Sequence, residues 1–235
     1  MATKYAMLAR TSRLQSVAST EELEEATTEL QNFTVAAGTL IKVASEQSAP
    51  TDDLQVFVYD PVLREPNTTR KYQCAQDSLL PVSDDLWPFI VSIPEPNRRL
   101  QLVQDSSRCN WLYTAMPGDV VSVPARYFDR DDFRLFECII CYIGPVPEIH
   151  PVGYFFGLEL LDDVQSPQTA DISFTRKYFE CDADAAIFIT ADRILPTPLP
   201  QDEEIESANE APESSWSLTN FIQNTVDSIR ASLPL

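Results

Sequence analysis

From Met116 onward the chain is written in short apolar runs closed by turn signals, and four of its five glycines fall between Gly118 and Gly157. Residues 120–123, 136–143, 154–161, 176–179 and 186–189 are candidate strands, rich in β-branched and aromatic side chains. Many short strands with frequent turns build a small barrel or sandwich rather than a helical fold. The expected fold is therefore mainly β, α+β overall, with a small β-barrel over residues 116–195.

The region before it, residues 1–110, reads as a mixed α/β segment. Residues 4–13 look like a weak strand, and residues 39–43 and 54–59 read as stronger ones. Ser19, Thr20, Glu21 and Glu22 form a capping box. It opens an acidic insert over 19–34, with Leu23, Ala26, Thr27 and Leu30 at helical spacing and five carboxylates in 21–29. Ser83, Asp84 and Asp85 start a short helix through Trp87, Phe89, Ile90 and Ile93, because Pro88 is tolerated in a first turn. Residues 100–103 alternate like a strand.

Past Leu195 the run Pro196-Thr-Pro-Leu-Pro200 stops the fold. Six acids with no positive charge among them follow by Glu213, so 196–215 is expected to be an acidic, proline-rich linker. Residues 216–235 carry Leu218, Phe221, Ile222, Val226, Ile229 and Leu233 on one helical face. That segment is expected as an amphipathic helix, with docking on a partner, packing onto the barrel and disorder all left open.

Charge excludes several functions. Lys and Arg number 17 against 36 Asp and Glu, a formal net charge of −19. Sequence-independent nucleic-acid binding requires cations to displace counterions, and anionic membranes repel such a chain. The longest apolar stretch, 152–161, is far shorter than the ~20 residues of a membrane span. Neither nucleic acid nor membrane is expected as a partner. The N-terminus shows no secretory signal, and five irregularly spaced cysteines suit free thiols of a reducing cytosol.

His150 is the only histidine, set in a loop between Pro147 and Pro151. Triads, Cys–His dyads and zinc hydrolases all need imidazole as base or ligand. No two glycines are spaced for a phosphate loop. Cys138 and Cys141 form a C-x-x-C, but strand positions three apart face opposite sides and no second pair completes a zinc site. We assign no catalytic residue, no metal and no cofactor to this chain.

Four motifs in order carry a family resemblance. They are Pro117-Gly-Asp-Val-Val-Ser-Val123, Val152-Gly-Tyr-Phe-Phe-Gly-Leu-Glu-Leu-Leu-Asp162, Arg176-Lys-Tyr-Phe-Glu-Cys181, and Ala186-Ile-Phe-Ile189 before Arg193-Ile-Leu195. This stretch resembles the CAP-Gly domains, small SH3-like β-barrels of microtubule-associated proteins. Phe136-Glu-Cys-Ile-Ile-Cys-Tyr-Ile-Gly-Pro145, with looser similarity upstream, is most similar to the N-terminal region of the cylindromatosis-type (CYLD-like) deubiquitinases.

The resemblance implies a peptide groove lined by aromatics. Phe155 stands at the family's groove position, and Tyr154, Phe156, Phe174, Tyr178, Phe179 and Phe188 lie nearby. Alternation sends adjacent aromatics to opposite faces, so part of the set lines the core and part a surface; a reading in which all are core stays open. Arg176 and Lys177 are a basic pair able to meet a peptide carboxylate. The candidate groove is Phe155, Phe156, Phe174, Arg176, Lys177 and Phe188. Family members that grip acidic tails use a GKNDG-like loop; residues 164–174 here contain neither Gly nor Lys, which weakens microtubule association through tubulin-type tails.

The expected function is a non-catalytic interaction module that binds a segment or C-terminal tail of a cytoskeletal or ubiquitin-signalling partner. The resemblance implies a cytoplasmic location and leaves cytoskeletal association open. The alternative is the N-terminal fragment, or a truncated relative, of a CYLD-like cysteine deubiquitinase whose catalytic domain lies outside these residues.

Overall fold

A computed structural model describes residues 4–17, 32–44, 53–128, 134–161, 172–181 and 185–197. Two antiparallel sheets flank a set of short helices. The first sheet holds β1 (Tyr5–Leu8), β2 (Ser12–Val17), β3 (Asn32–Val35), β4 (Leu40–Val43), β5 (Asp53–Val58), β6 (Lys71–Ala75) and β7 (Leu79–Val82). Its spatial order is β3-β2-β6-β5-β4-β1-β7. Helices α1 (Trp87–Val91), α2 (Pro96–Gln104) and α3 (Ser106–Thr114) follow. The second sheet holds β8 (Val120–Pro124), β9 (Leu135–Gly144), β10 (Phe155–Leu160), β11 (Ala186–Ile189) and β12 (Leu195–Pro196), with α4 (Ile172–Thr175) between β10 and β11.

Strand alternation splits the first sheet's side chains between two cores. Ala6, Leu8, Leu14, Val35, Ile41, Val56 and Cys74 bury one another, and among the described residues that cluster draws only on the sheet's own strands. Such burial requires the sheet to curl over its own face, as a half-barrel does. The odd partners in β1, Tyr5 and Met7, point the other way and meet the helices. Tyr5 stacks on Trp87 at 4.2 Å, and Tyr59 meets Trp87 edge-on at 5.3 Å.

The helices bridge the sheets. Phe156 of β10 stacks on Phe89 of α1 at 5.6 Å and on Trp111 of α3 at 5.9 Å. One apolar core thus runs from Met7 and Leu40, through Trp87, Ile90 and Ile93, to Val121, Ile140, Leu158 and Ile187. Both sheets lie in one compact unit that ends at Thr197. Arg99 adds a polar tie. Its buried guanidinium donates to the carbonyls of Ile93 (2.6 Å), Pro94 (2.9 Å) and Gly38 (3.3 Å); desolvation and nearby Arg64 pull its pKa down to about 10. Gly38, at φ +77°, lets the β3–β4 turn approach α2: a Cβ there would lie 1.9 Å from the Pro96 carbonyl oxygen.

The mainly β reading holds, as do strands over most of residues 39–43, 54–59, 120–123, 136–143, 154–161 and 186–189. The short helix at Pro88 also forms, with the Leu86 N–H donating to Ser83 Oγ at 3.2 Å. Three expectations are corrected. Residues 100–103 are helical, not a strand: Pro96 opens α2 at its first position, where its fixed φ and missing N–H cost nothing. Residues 176–179 are a turn, closed by the Tyr178 and Phe179 N–H groups donating to the Thr175 carbonyl at 2.8 and 3.1 Å. Residues 4–13 divide into β1 and the start of β2, because the backbone turns at 9–11. Most of the acidic insert 19–34, most of the linker and the amphipathic segment 216–235 lie outside the described residues; 32–35 form β3.

Candidate functional site

The second sheet is a meander, β8 to β11, extended by β12, which returns to pair with β8. A 3-10 turn, Ala191–Arg193, carries the chain from β11 to β12. The long β9 is shared: residues 135–139 pair with β8, and 138–144 pair with β10. Its register with β10 slips between Gly157 and Leu158, a bulge that bends the strand pair.

Alternation gives this sheet an inner face on the helices and an outer face where the candidate site lies. Rings gather on the outer face: Phe174 packs on Phe188 at 5.1 Å and on Tyr178 at 5.6 Å, Tyr178 on Tyr142 at 5.1 Å, and Phe179 on Phe188 at 5.5 Å. Phe174, Tyr178, Phe179, Phe188 and Tyr142 are half-buried. Gly157 makes this possible. A Cβ at that position would sit 2.3 Å from Phe179 Cε1, so only a bare backbone lets the ring lie flat on β10.

A charged edge borders the rings. Glu148 accepts a short hydrogen bond from the Tyr178 hydroxyl and one from Lys177 Nζ at 3.1 Å. The Tyr178 hydroxyl, a backbone N–H and the Lys177 ammonium together hold the Glu148 carboxyl down at about 2. The same bond to Glu148 pushes the Tyr178 phenol up to about 12. Lys177 is thus committed to an intramolecular carboxylate. Exposed Arg176 has no ion-pair partner among the described residues.

Of the six groove candidates, the structure brings Phe174 and Phe188 into one cluster, with Arg176 and Lys177 on the turn that carries it. Phe156 is fully buried between α1 and α3, which removes it from any surface. Phe155 is also buried, but it does not join the shared core. Tyr142 and Glu148 belong to the cluster although the sequence does not point to them. Tyr142 lies within a run that reads only as strand, and Glu148 sits in a proline-flanked loop with no sequence signal of its own.

The other chemistry-bearing residues serve structure. His150 Nδ1 accepts from the Val152 N–H at 3.2 Å, which leaves Nε2 to donate to the Val62 carbonyl at 3.1 Å. Cys138 is buried in the core while Cys141 turns towards Glu159 at 3.9 Å, so the two sulfurs of the C-x-x-C face opposite ways. Burial raises the Cys74, Cys109 and Cys141 thiol pKa values, which keeps them protonated. Comparison of the chain with protein-family models, with curated proteins and with solved structures finds no match.

Proposed function

We propose that this chain is a non-catalytic protein-interaction module whose second sheet is an SH3-like barrel of CAP-Gly type. The observation that carries the reading is the outer-face ring cluster, half-buried and edged by Arg176, on a sheet whose order β11-β10-β9-β8-β12 and 3-10 turn before the last strand suit such a barrel. Rings of this kind recognise extended peptides through their flat faces, and a guanidinium at the rim meets a terminal carboxylate. The partner class follows from the resemblance in residues 117–195: a tail or loop of a cytoplasmic protein of the cytoskeleton or of ubiquitin signalling. Glu148 at the rim and the acidic balance of 116–195, fourteen acids against six bases, favour a neutral or basic peptide over a Glu-rich tubulin-type tail.

Display of a random library with free C-termini against the full chain tests the proposal. The expected result is enrichment of aromatic or proline-containing peptides whose affinity falls at least tenfold on Phe174→Ala and severalfold on Arg176→Gln. A library that enriches equally on the wild type and on Phe174→Ala would overturn it.

A further inference from the structure

A second site lies where α2, α3 and the 3-10 turns beside β8 and β12 meet. A cavity of about 460 Å³ is lined there by Arg98, Gln101, Arg108, Arg126, Tyr127 and Asp192. The Tyr127 ring belongs to that lining. The guanidinium carbons of Arg98, Arg126 and Arg193 sit 5.1, 5.3 and 5.5 Å from the ring centre. A single ring satisfies three cations poorly, since each attraction is modest and the cations repel one another.

Asp192 is the one carboxylate among the described lining residues. It is buried, and it is already engaged by Arg98 Nη1 at 3.2 Å and by the Thr190 hydroxyl. Arg108 spends Nη2 on the carbonyls of Ala191 and Ile194, both at 2.8 Å, which anchors the turn. That leaves Nε of Arg108 and Nε of Arg193 buried with no acceptor among the described residues. Exposed Arg126 makes neither a hydrogen bond nor an ion pair among the described residues and lies over the Tyr127 ring. Three arginines and one carboxylate thus line the cavity, in a chain whose net charge is −19. That excess of cationic donors over carboxylate in the lining points to an anion that supplies further oxygens.

We propose that this cavity binds a small ligand carrying phosphoryl groups. A phosphoryl group brings close to two negative charges and three acceptor oxygens, enough to answer several guanidinium forks at once, whereas a carboxylate brings one charge and two oxygens. The volume falls within the ~300–1,000 Å³ of small-molecule sites. Phosphate recognition here uses arginine forks, so it needs none of the glycine-rich loops absent from the sequence.

Titration calorimetry of the full chain with pyrophosphate at low ionic strength tests this, with citrate as a carboxylate of comparable charge. Saturable one-to-one binding of pyrophosphate, at least tenfold tighter than citrate, is the expected result. Arg126→Gln should weaken it about tenfold while leaving the unliganded melting temperature unchanged, because Arg126 holds no other described element. Gln101→Glu, which places a carboxylate in the cavity and leaves every arginine intact, should weaken it by at least as much. Arg10→Gln removes one charge from an exposed pair elsewhere and should change nothing. Absence of saturable binding, equal affinity for citrate, or equal losses in Arg10→Gln and Arg126→Gln would each overturn the proposal.

Discussion

The two faces of the second sheet are built from the same kinds of residue and behave as opposites. On the inner face Phe136, Cys138, Ile140, Phe156, Leu158 and Ile187 are all buried in the core shared with the helices, and rings of α1 and α3 stack on Phe156. On the outer face, among the described residues, Tyr142 and Phe188 meet the rings of the short α4 and the turn after it, and both stay half-buried. Aromatic content therefore does not separate core from binding surface. The second layer does: helices with their own rings seal the inner face, whereas among the described residues a four-residue helix and a turn leave the outer rings half-buried.

Substitutions can sharpen that contrast. Phe156→Ala empties the space between α1 and α3 and should cost about 3–5 kcal/mol, read as a shift in the urea midpoint. A loss of under ~1 kcal/mol would mean that the inner face is not sealed. Gly157→Ala forces a methyl group into Phe179; the ring can swing aside, so the expected loss is about 1–2 kcal/mol, accompanied by weaker peptide binding. Phe188→Ala, on a half-buried ring, should cost about 1 kcal/mol while abolishing peptide binding in the same preparation. Comparable stability losses for Phe156→Ala and Phe188→Ala would erase the distinction between the faces.

The smallest effect is electrostatic. The Glu148 pKa is depressed from its ordinary 4.5 to about 2, so its bond to Tyr178 stabilises the fold above pH 4.5 and is lost as pH falls towards 2. The Tyr178 pKa is raised from its ordinary 10 to about 12, so the same bond is complete below pH 10 and is lost as pH rises towards 12. Glu148 is exposed and its bond to Tyr178 lies at the surface, so global stability should scarcely move. The carboxyl chemical shift of Glu148, followed by NMR, should titrate near 2 in the wild type and move up towards the ordinary value in Tyr178→Phe. An unchanged titration in that variant would show that the hydroxyl does not hold the carboxylate.

Strands rich in β-branched and aromatic residues are legible in the sequence. Residues 54–58 and 136–143 are such runs, and they form β5 and most of β9. Strand β6, Lys71-Tyr-Gln-Cys-Ala75, gives no such signal: it buries Cys74 fully and otherwise carries polar or small residues around one tyrosine. Helix α2 reads as a strand because Leu100, Leu102 and Val103 fit two periods, and the residue that decides between them, Pro96, lies outside the apolar run. At the site, the aromatic set and the basic pair are legible, but not which rings are sealed. Glu148 lies about thirty residues before its partners Lys177 and Tyr178 and depends wholly on the fold for that meeting.

Short β-branched and aromatic runs closed by turn signals determined that the chain is mainly β, and side-chain alternation determined that Phe155 and Phe156, like Cys138 and Cys141, part to opposite faces. Backbone geometry enforces that parity locally, so no distant contact is needed. Only the tertiary structure decided which face becomes core, since the helices that seal it come from residues 87–114 and their rings must reach β10 across the interface. It alone also gathered Arg98, Arg126 and Arg193 around Tyr127 and set Arg108 in the same cavity. Separated in sequence and outnumbered by carboxylates in the chain as a whole, these arginines become a site through packing, which sets charges side by side regardless of their order along the backbone.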